Sequence, residues 1–133
     1  MKGLIIKPYW ADLILAGQKT WEIRGSYTHH RGPTAIIKSG SGKVYGVVNI
    51  VDCMSLPFSS WSKNKSKHHV PFGRITYERP HAWVLQDARM LPEPLPYVHP
   101  QGAVIWSIYR MTSSKEDPYA KQRADAPAPR QPI

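Results

Sequence analysis

The chain has 133 residues, enough for one modest hydrophobic core, with 41% hydrophobic residues and a formal net charge of +9. Its single cysteine, Cys53, excludes an internal disulfide, and no apolar run approaches the ~20 residues that span a bilayer. The opening Met1-Lys2-Gly3-Leu4 shows no signal-peptide pattern, so a reducing, cytoplasmic setting without membrane contact is expected.

Residues 3–7 read as a short strand. Pro8 suits the first position of a helix, where its missing N–H would be unpaired anyway. Trp10, Leu13, Ile14 and Gly17 then follow the spacing of a buried helical face, and Gly17 is placed for a left-handed cap. A second strand runs from Thr20 to Arg24, followed by a polar segment with His29, His30 and Arg31. Residues 34–38 form a further short strand. Ser39-Gly40-Ser41-Gly42 is a turn into the longest strand, residues 43–52, which is rich in β-branched side chains.

Residues 55–73 break the periodicity, with short helices expected after Leu56 and after Pro71. Strands at 82–90 and 103–110 are joined by a loop punctuated by Pro92, Pro94, Pro96 and Pro100. From Thr112 the composition turns polar and proline-rich, which predicts a disordered tail. The expected organisation is one domain over 1–111 and a tail over 112–133. The fold class is α+β and mainly β: a small barrel of five or six strands with one or more helices at its side. Regular βα alternation is missing, which argues against a doubly wound sheet.

The tail holds four basic and three acidic residues, so the body carries +8 of the charge. A folded unit that basic attracts phosphate-rich partners, chiefly nucleic acid. Two groups of residues are candidates for the contact.

The first group is Lys19, Glu22 and Arg24. Side chains alternate along a strand, so Glu22 and Arg24 share one face while Trp21 and Ile23 take the other. Lys19, at the helix–strand junction, reaches the same space. Two readings stay open: a solvated edge strand with an ion pair worth ~0–1 kcal/mol, or a polar cleft. At such a cleft the helix start at Pro8 would add free N–H groups, with Lys7 and Trp10 at the rim.

The second group is Lys63, Lys65, Lys67, Arg74 and Arg79, interleaved with Trp61, Phe72 and Tyr77. Cations for phosphate alternating with rings for bases suit single-stranded RNA or DNA, and the plain alternative is a solvated loop. Gly40-Ser41-Gly42-Lys43 is not a phosphate loop, because it lacks the first glycine and the Ser/Thr after the lysine. The pairs His29-His30 and His68-His69, with Cys53, have no accepted zinc spacing, so neither metal nor cofactor is expected. Cys53 reads as a buried apolar thiol.

The run Gly17-x-Lys19-x-x-Glu22-x-Arg24 resembles the signature of the ASCH family (activating-signal-cointegrator homology) of the PUA-like superfamily. The resemblance covers roughly residues 3–110. It takes in Lys7-Pro8-Tyr9-Trp10-Ala11, Gly46, Ala82-Trp83-Val84-Leu85, and Gly102 followed by Trp106. It implies a small barrel whose charged cleft receives RNA or a modified nucleobase. It also implies two alternatives: a hydrolase acting on RNA or on N4-acetylcytidine, and a coactivator-type protein-interaction module. The amidohydrolase branch carries a threonine where Glu22 stands here, so a catalytic set would have to draw on Lys19, Glu22 and the nearby Thr20.

Overall fold

The structure is a computed structural model, and it describes residues 1–97 and the backbone of Trp106–Ile108. The expected tail from Thr112, and Gly102 of the family-like closing strand, lie outside the described residues. Among the described residues no helix is long and apolar enough to cross a membrane.

In chain order the elements are β1 (Lys2–Ile6), α1 (Pro8–Leu15), β2 (Trp21–Arg24), β3 (Gly32–Lys38) and β4 (Lys43–Ser55). They are followed by α2 (Lys65–His68), β5 (His81–Pro96) and β6 (Trp106–Ile108). Single 3-10 turns at Phe58–Ser60, Ser62–Asn64 and Phe72–Arg74 fill the aperiodic stretch, as the sequence leads one to expect. The strands form one sheet in the order β2-β5-β4-β3-β1-β6, with β1 and β3 parallel and the other pairs antiparallel. The β4–β5 register shifts at three places, and such irregularities bend long strands and help curl a sheet. The result is the mainly β, barrel-like architecture with helices at its side.

Gly40 and Gly42 have φ of +81° and +67°, so the glycine-rich stretch is the β3–β4 turn, as expected. Helix α1 lies across the sheet at Gly46, where an added Cβ would stand 2.4 Å from Leu15 Cδ2 and 2.5 Å from the Arg89 carbonyl oxygen. Its inward face is Ala11, Ile14 and Leu15, packed with Leu4, Ile6, Ile36, Val48, Ile50 and Trp83. This corrects the expected face of Trp10, Leu13, Ile14 and Gly17. Trp10 and Leu13 are only half-buried, because contact at Gly46 turns Leu15 onto the sheet and leaves Trp10 to line a cavity.

A second correction concerns the prolines. β5 runs through Pro92, Pro94 and Pro96, where a loop is expected from sequence. Prolines two residues apart all direct their N-substituted side to one strand edge. The Tyr97 N–H, one residue past Pro96 and so on the opposite edge, bonds to the Gly42 carbonyl at 3.2 Å, which puts β4 on that edge. β2 pairs with β5 only at 81–84, so no described strand needs an N–H from these prolines.

Candidate functional site

Helix α1 ends in two reinforcing hydrogen bonds about a left-handed glycine. The Gly17 N–H bonds to the Ile14 carbonyl at 3.0 Å and the Gln18 N–H to the Leu13 carbonyl at 2.9 Å, with Gly17 at φ +78°. This tight reversal places Lys19 beneath the helix it has just left. Its Nζ stands 4.9 Å from the Trp10 ring centroid and 3.8 Å from Glu22 Oε1, and donates to the His68 carbonyl at 2.5 Å. The residue is 1% exposed.

Glu22 is clamped from both sides. Arg24 Nε and Nη2 each reach Glu22 Oε2 at 3.2 Å, and the Ile23 N–H donates to Oε1 at 3.2 Å. Both arginine nitrogens converge on one oxygen, unlike the two-oxygen fork an Arg–Glu pair often adopts. Arg24 also donates from Nη2 to the Ile5 carbonyl at 2.8 Å and lies over the Trp83 ring. The guanidinium thereby ties β1, β2 and β5 together. Glu22 and Arg24 are both buried, which overturns the solvated-strand alternative.

Trp21 and Ile23 face the other way, into an apolar cluster with Leu56, Trp61 and Ala82, as strand alternation requires. That cluster seats the segment that covers β2. Within it the His68 ring is fully buried. The Val70 N–H donates to Nδ1 at 2.9 Å, so Nε2 carries the proton and donates to the Trp61 carbonyl at 2.9 Å. Trp61 Nε1 closes the loop by donating to the Val70 carbonyl at 2.8 Å. Burial lowers the His68 pKa below its ordinary value, against the pull of the Trp61 hydrogen bond. Sequence reasoning counts His68 only as part of a histidine pair; the sign of its role is a ring bonded on both nitrogens, which no local pattern shows.

The three charged residues line a cavity of about 480 Å³, within the usual range for small-ligand sites. Trp10 and Tyr9 wall it from α1, and Trp61, Val70, Ile75 and Tyr77 wall it from the covering segment. Lys7 and Arg74 add two exposed cations to the lining. Among the described residues Glu22 is the single carboxylate that lines it. Burial pushes the Lys19 pKa down to about 8; Glu22 opposes the shift and Arg24 adds to it. Lys19 therefore carries both protonation states near neutral and mildly alkaline pH.

Of the residues singled out from sequence, Lys7, Trp10, Lys19, Glu22, Arg24 and Arg74 meet at this cavity. Thr20 does not. The strand begins only at Trp21, the Thr20 backbone groups bond to Lys67 O and Leu85 N–H, and Thr20 is not among the residues that line the cavity. Lys63, Lys65, Lys67 and Arg79 are exposed and lie outside the lining, with Lys67 Nζ 4.7 Å over the Trp21 ring. Their expected aromatic partners divide: Trp61, a core residue, and Tyr77 both line the cavity, while Phe72 is exposed against Phe58. No three His, Cys, Asp or Glu side chains gather in metal-holding geometry among the described residues.

The arrangement sets a fixed carboxylate beside an ammonium group, between aromatic walls. The profile of the ASCH domain matches residues 4–96. Among solved structures, the chain is similar to the ASCH protein of Zymomonas mobilis, with a TM-score of 0.67 at 16% identity over 86% of this chain and 89% of that one. A point mutant of that protein superposes with a TM-score of 0.68 at 16% identity, covering 95% of this chain and 96% of that one. No curated protein matches the chain.

Proposed function

Since the chain belongs to the ASCH domain family, we propose that its charged cavity binds a nucleobase, presented by single-stranded RNA or as a modified nucleoside. The observation that carries this reading is the burial of Lys19, Glu22 and Arg24 around a cavity of about 480 Å³. Burying three charges costs several kcal/mol per ion before their mutual attraction is counted, and an apolar core would have served stability equally well. A ligand that engages these charges would offset that cost. Glu22 Oε1 accepts from an exocyclic amine, Lys19 donates to the adjacent ring nitrogen or carbonyl, and Trp10 and Tyr77 flank the ring. Lys7 and Arg74 supply positive charge for the phosphate backbone.

The lowered pKa of Lys19 supports a second reading, hydrolysis of RNA or of an acylated nucleoside. A neutral amine in a cavity is a competent general base, and its conjugate acid can protonate a leaving group. With Thr20 outside the cavity, the attacking group in that scheme is water or the substrate's own 2′-hydroxyl. The experiment is a titration of wild type, Lys19→Ala and Glu22→Gln with single-stranded RNA and with N4-acetylcytidine, following both binding and turnover. Binding is expected to fall sharply in both variants. Folded variants with wild-type affinity would sink the cleft reading, and turnover by wild type that Lys19→Ala abolishes selects the hydrolase.

A further inference from the structure

The sheet face that carries the cleft continues into a cluster of rings. Across the β2–β5 pair Glu22 lies opposite Trp83 and Arg24 opposite His81, so His81 shares the face of the two charged residues. The chain leaving β2 stays beside this edge. Gly25 packs flat under Tyr77, a wall of the cavity, with an ideal Cβ only 2.7 Å from a Tyr77 ring carbon. Two residues further on, Tyr27 is 47% exposed, with its ring 6.3 Å from His81 and 4.8 Å from His29, both near edge-to-face.

Arg31 is held beside these rings by a set of hydrogen bonds. Its Nη1 donates to the carbonyls of Thr28 at 2.8 Å and His30 at 3.0 Å, and Nη2 donates to the Tyr27 hydroxyl at 3.0 Å. The guanidinium carbon lies 5.7 Å from the Tyr27 ring centroid. Asp52 reaches Nη2 only at 4.0 Å, and both side chains are partly solvated, so this pair takes little of the charge out of play. Tyr27 belongs to none of the three apolar clusters, and Tyr27 and His29 are both exposed.

We propose that Tyr27, His29 and His81, with Arg31 beside them, form a stacking platform for the unpaired nucleotides that adjoin the one held in the cleft. The proposal rests on the nucleobase reading of the cavity and commits it to a single-stranded nucleic acid as ligand. Continuity argues for it: the platform begins at the residue facing Arg24, and Tyr77, a wall of the cavity, packs on Gly25 two residues before Tyr27. Charge complementarity argues for it too, since the chain carries +9 overall and a planar guanidinium stands at the platform. Rings already fixed in place lose little freedom on stacking, and stacking on exposed rings tolerates any base.

The test uses the full chain as wild type, Tyr27→Ala, Tyr27→Phe, His81→Ala and Lys19→Ala. Each is titrated calorimetrically with the four ribonucleoside monophosphates and with the corresponding single-stranded tetranucleotides. Wild type is expected to bind tetranucleotides at least tenfold more tightly than monophosphates. Tyr27→Ala and His81→Ala should each remove most of that gain while leaving monophosphate affinity unchanged, and Tyr27→Phe should retain it. A 2-aminopurine placed beside the cleft nucleotide should lose its stacking-induced quenching in Tyr27→Ala. Absence of any length gain in wild type, or a full gain in folded Tyr27→Ala and His81→Ala, overturns the platform. Lys19→Ala reads the cleft separately: if it keeps monophosphate affinity, the cleft reading fails and the platform falls with it, whereas loss of monophosphate affinity there with a full length gain in Tyr27→Ala and His81→Ala overturns the platform alone.

Discussion

Lys19 Nζ donates to the backbone carbonyl of His68, a contact that spans 49 positions of the chain. This bond joins the buried ammonium at the end of α1 to the segment that roofs the cavity. It makes the position of Lys19 depend on how residues 61–70 fold. Ligand binding and the stability of this segment are therefore linked, and the link generates the first two predictions.

Lys19 has a folded-state pKa near 8, against 10.5 for an exposed lysine. Between these values the unfolded chain holds more protons than the folded one, so stability should rise with pH across that window. Relative to Lys19→Met, wild type should gain up to about 3 kcal/mol between pH 8 and pH 10.5, measured by denaturant titration at each pH. Binding of anionic ligands should weaken over the same range as the ammonium charge is lost. A pH-independent difference between the two proteins would show that Lys19 titrates normally.

His68 is lowered from its ordinary pKa of 6.5, so the folded state resists protonation that the unfolded chain accepts. Its contribution to stability is present above pH 6.5 and is lost as pH falls through the window below it. His68→Leu leaves the Val70 N–H and the Trp61 carbonyl without their side-chain partner. It should cost about 1–3 kcal/mol at neutral pH and flatten the acid-side decline of the melting temperature. Ligand affinity should fall with it, because the carbonyl that anchors Lys19 moves. Unchanged affinity in a folded variant would uncouple the roof from the site.

Arg24→Met leaves the Glu22 carboxylate buried without its main partner, and should cost about 3–5 kcal/mol in a urea midpoint analysis. The double replacement Arg24→Met with Glu22→Leu should recover a large part of that loss, because it removes the uncompensated charge. If the double variant is no more stable than Arg24→Met, lost packing on Trp83 and the lost bond to Ile5, rather than stranded charge, explain the cost.

Replacing Lys63, Lys65 and Lys67 together with alanine should lower the slope of log K against log salt for single-stranded RNA. The reduction is up to ~2 units if all three meet phosphate. Because the three lie outside the cavity, affinity for a free nucleoside should be unaffected. An unchanged salt slope would remove this segment from the binding surface.

Local rules in the sequence determined a good deal of this protein. Pro8 and Gly17 set the limits of α1, because one lacks a donor where none is needed and the other alone adopts the left-handed cap at little cost. Gly40 and Gly42 set the β3–β4 turn, and the alternation of a four-residue strand put Glu22 and Arg24 on one face with Trp21 and Ile23 on the other. What the alternation left open was whether that charged face meets water. The tertiary structure decided this, because the roof over β2 is built by residues 56–77, whose apolar anchors Leu56, Trp61, Val70 and Ile75 show no periodicity to read. The same long-range closure turned His68 from a surface-type residue into a buried, doubly bonded ring, and lowered the pKa of Lys19. Desolvation depends on everything that surrounds a group, and around Lys19 the nearby Trp10, Glu22 and Arg24 are joined by the His68 carbonyl from 49 positions away.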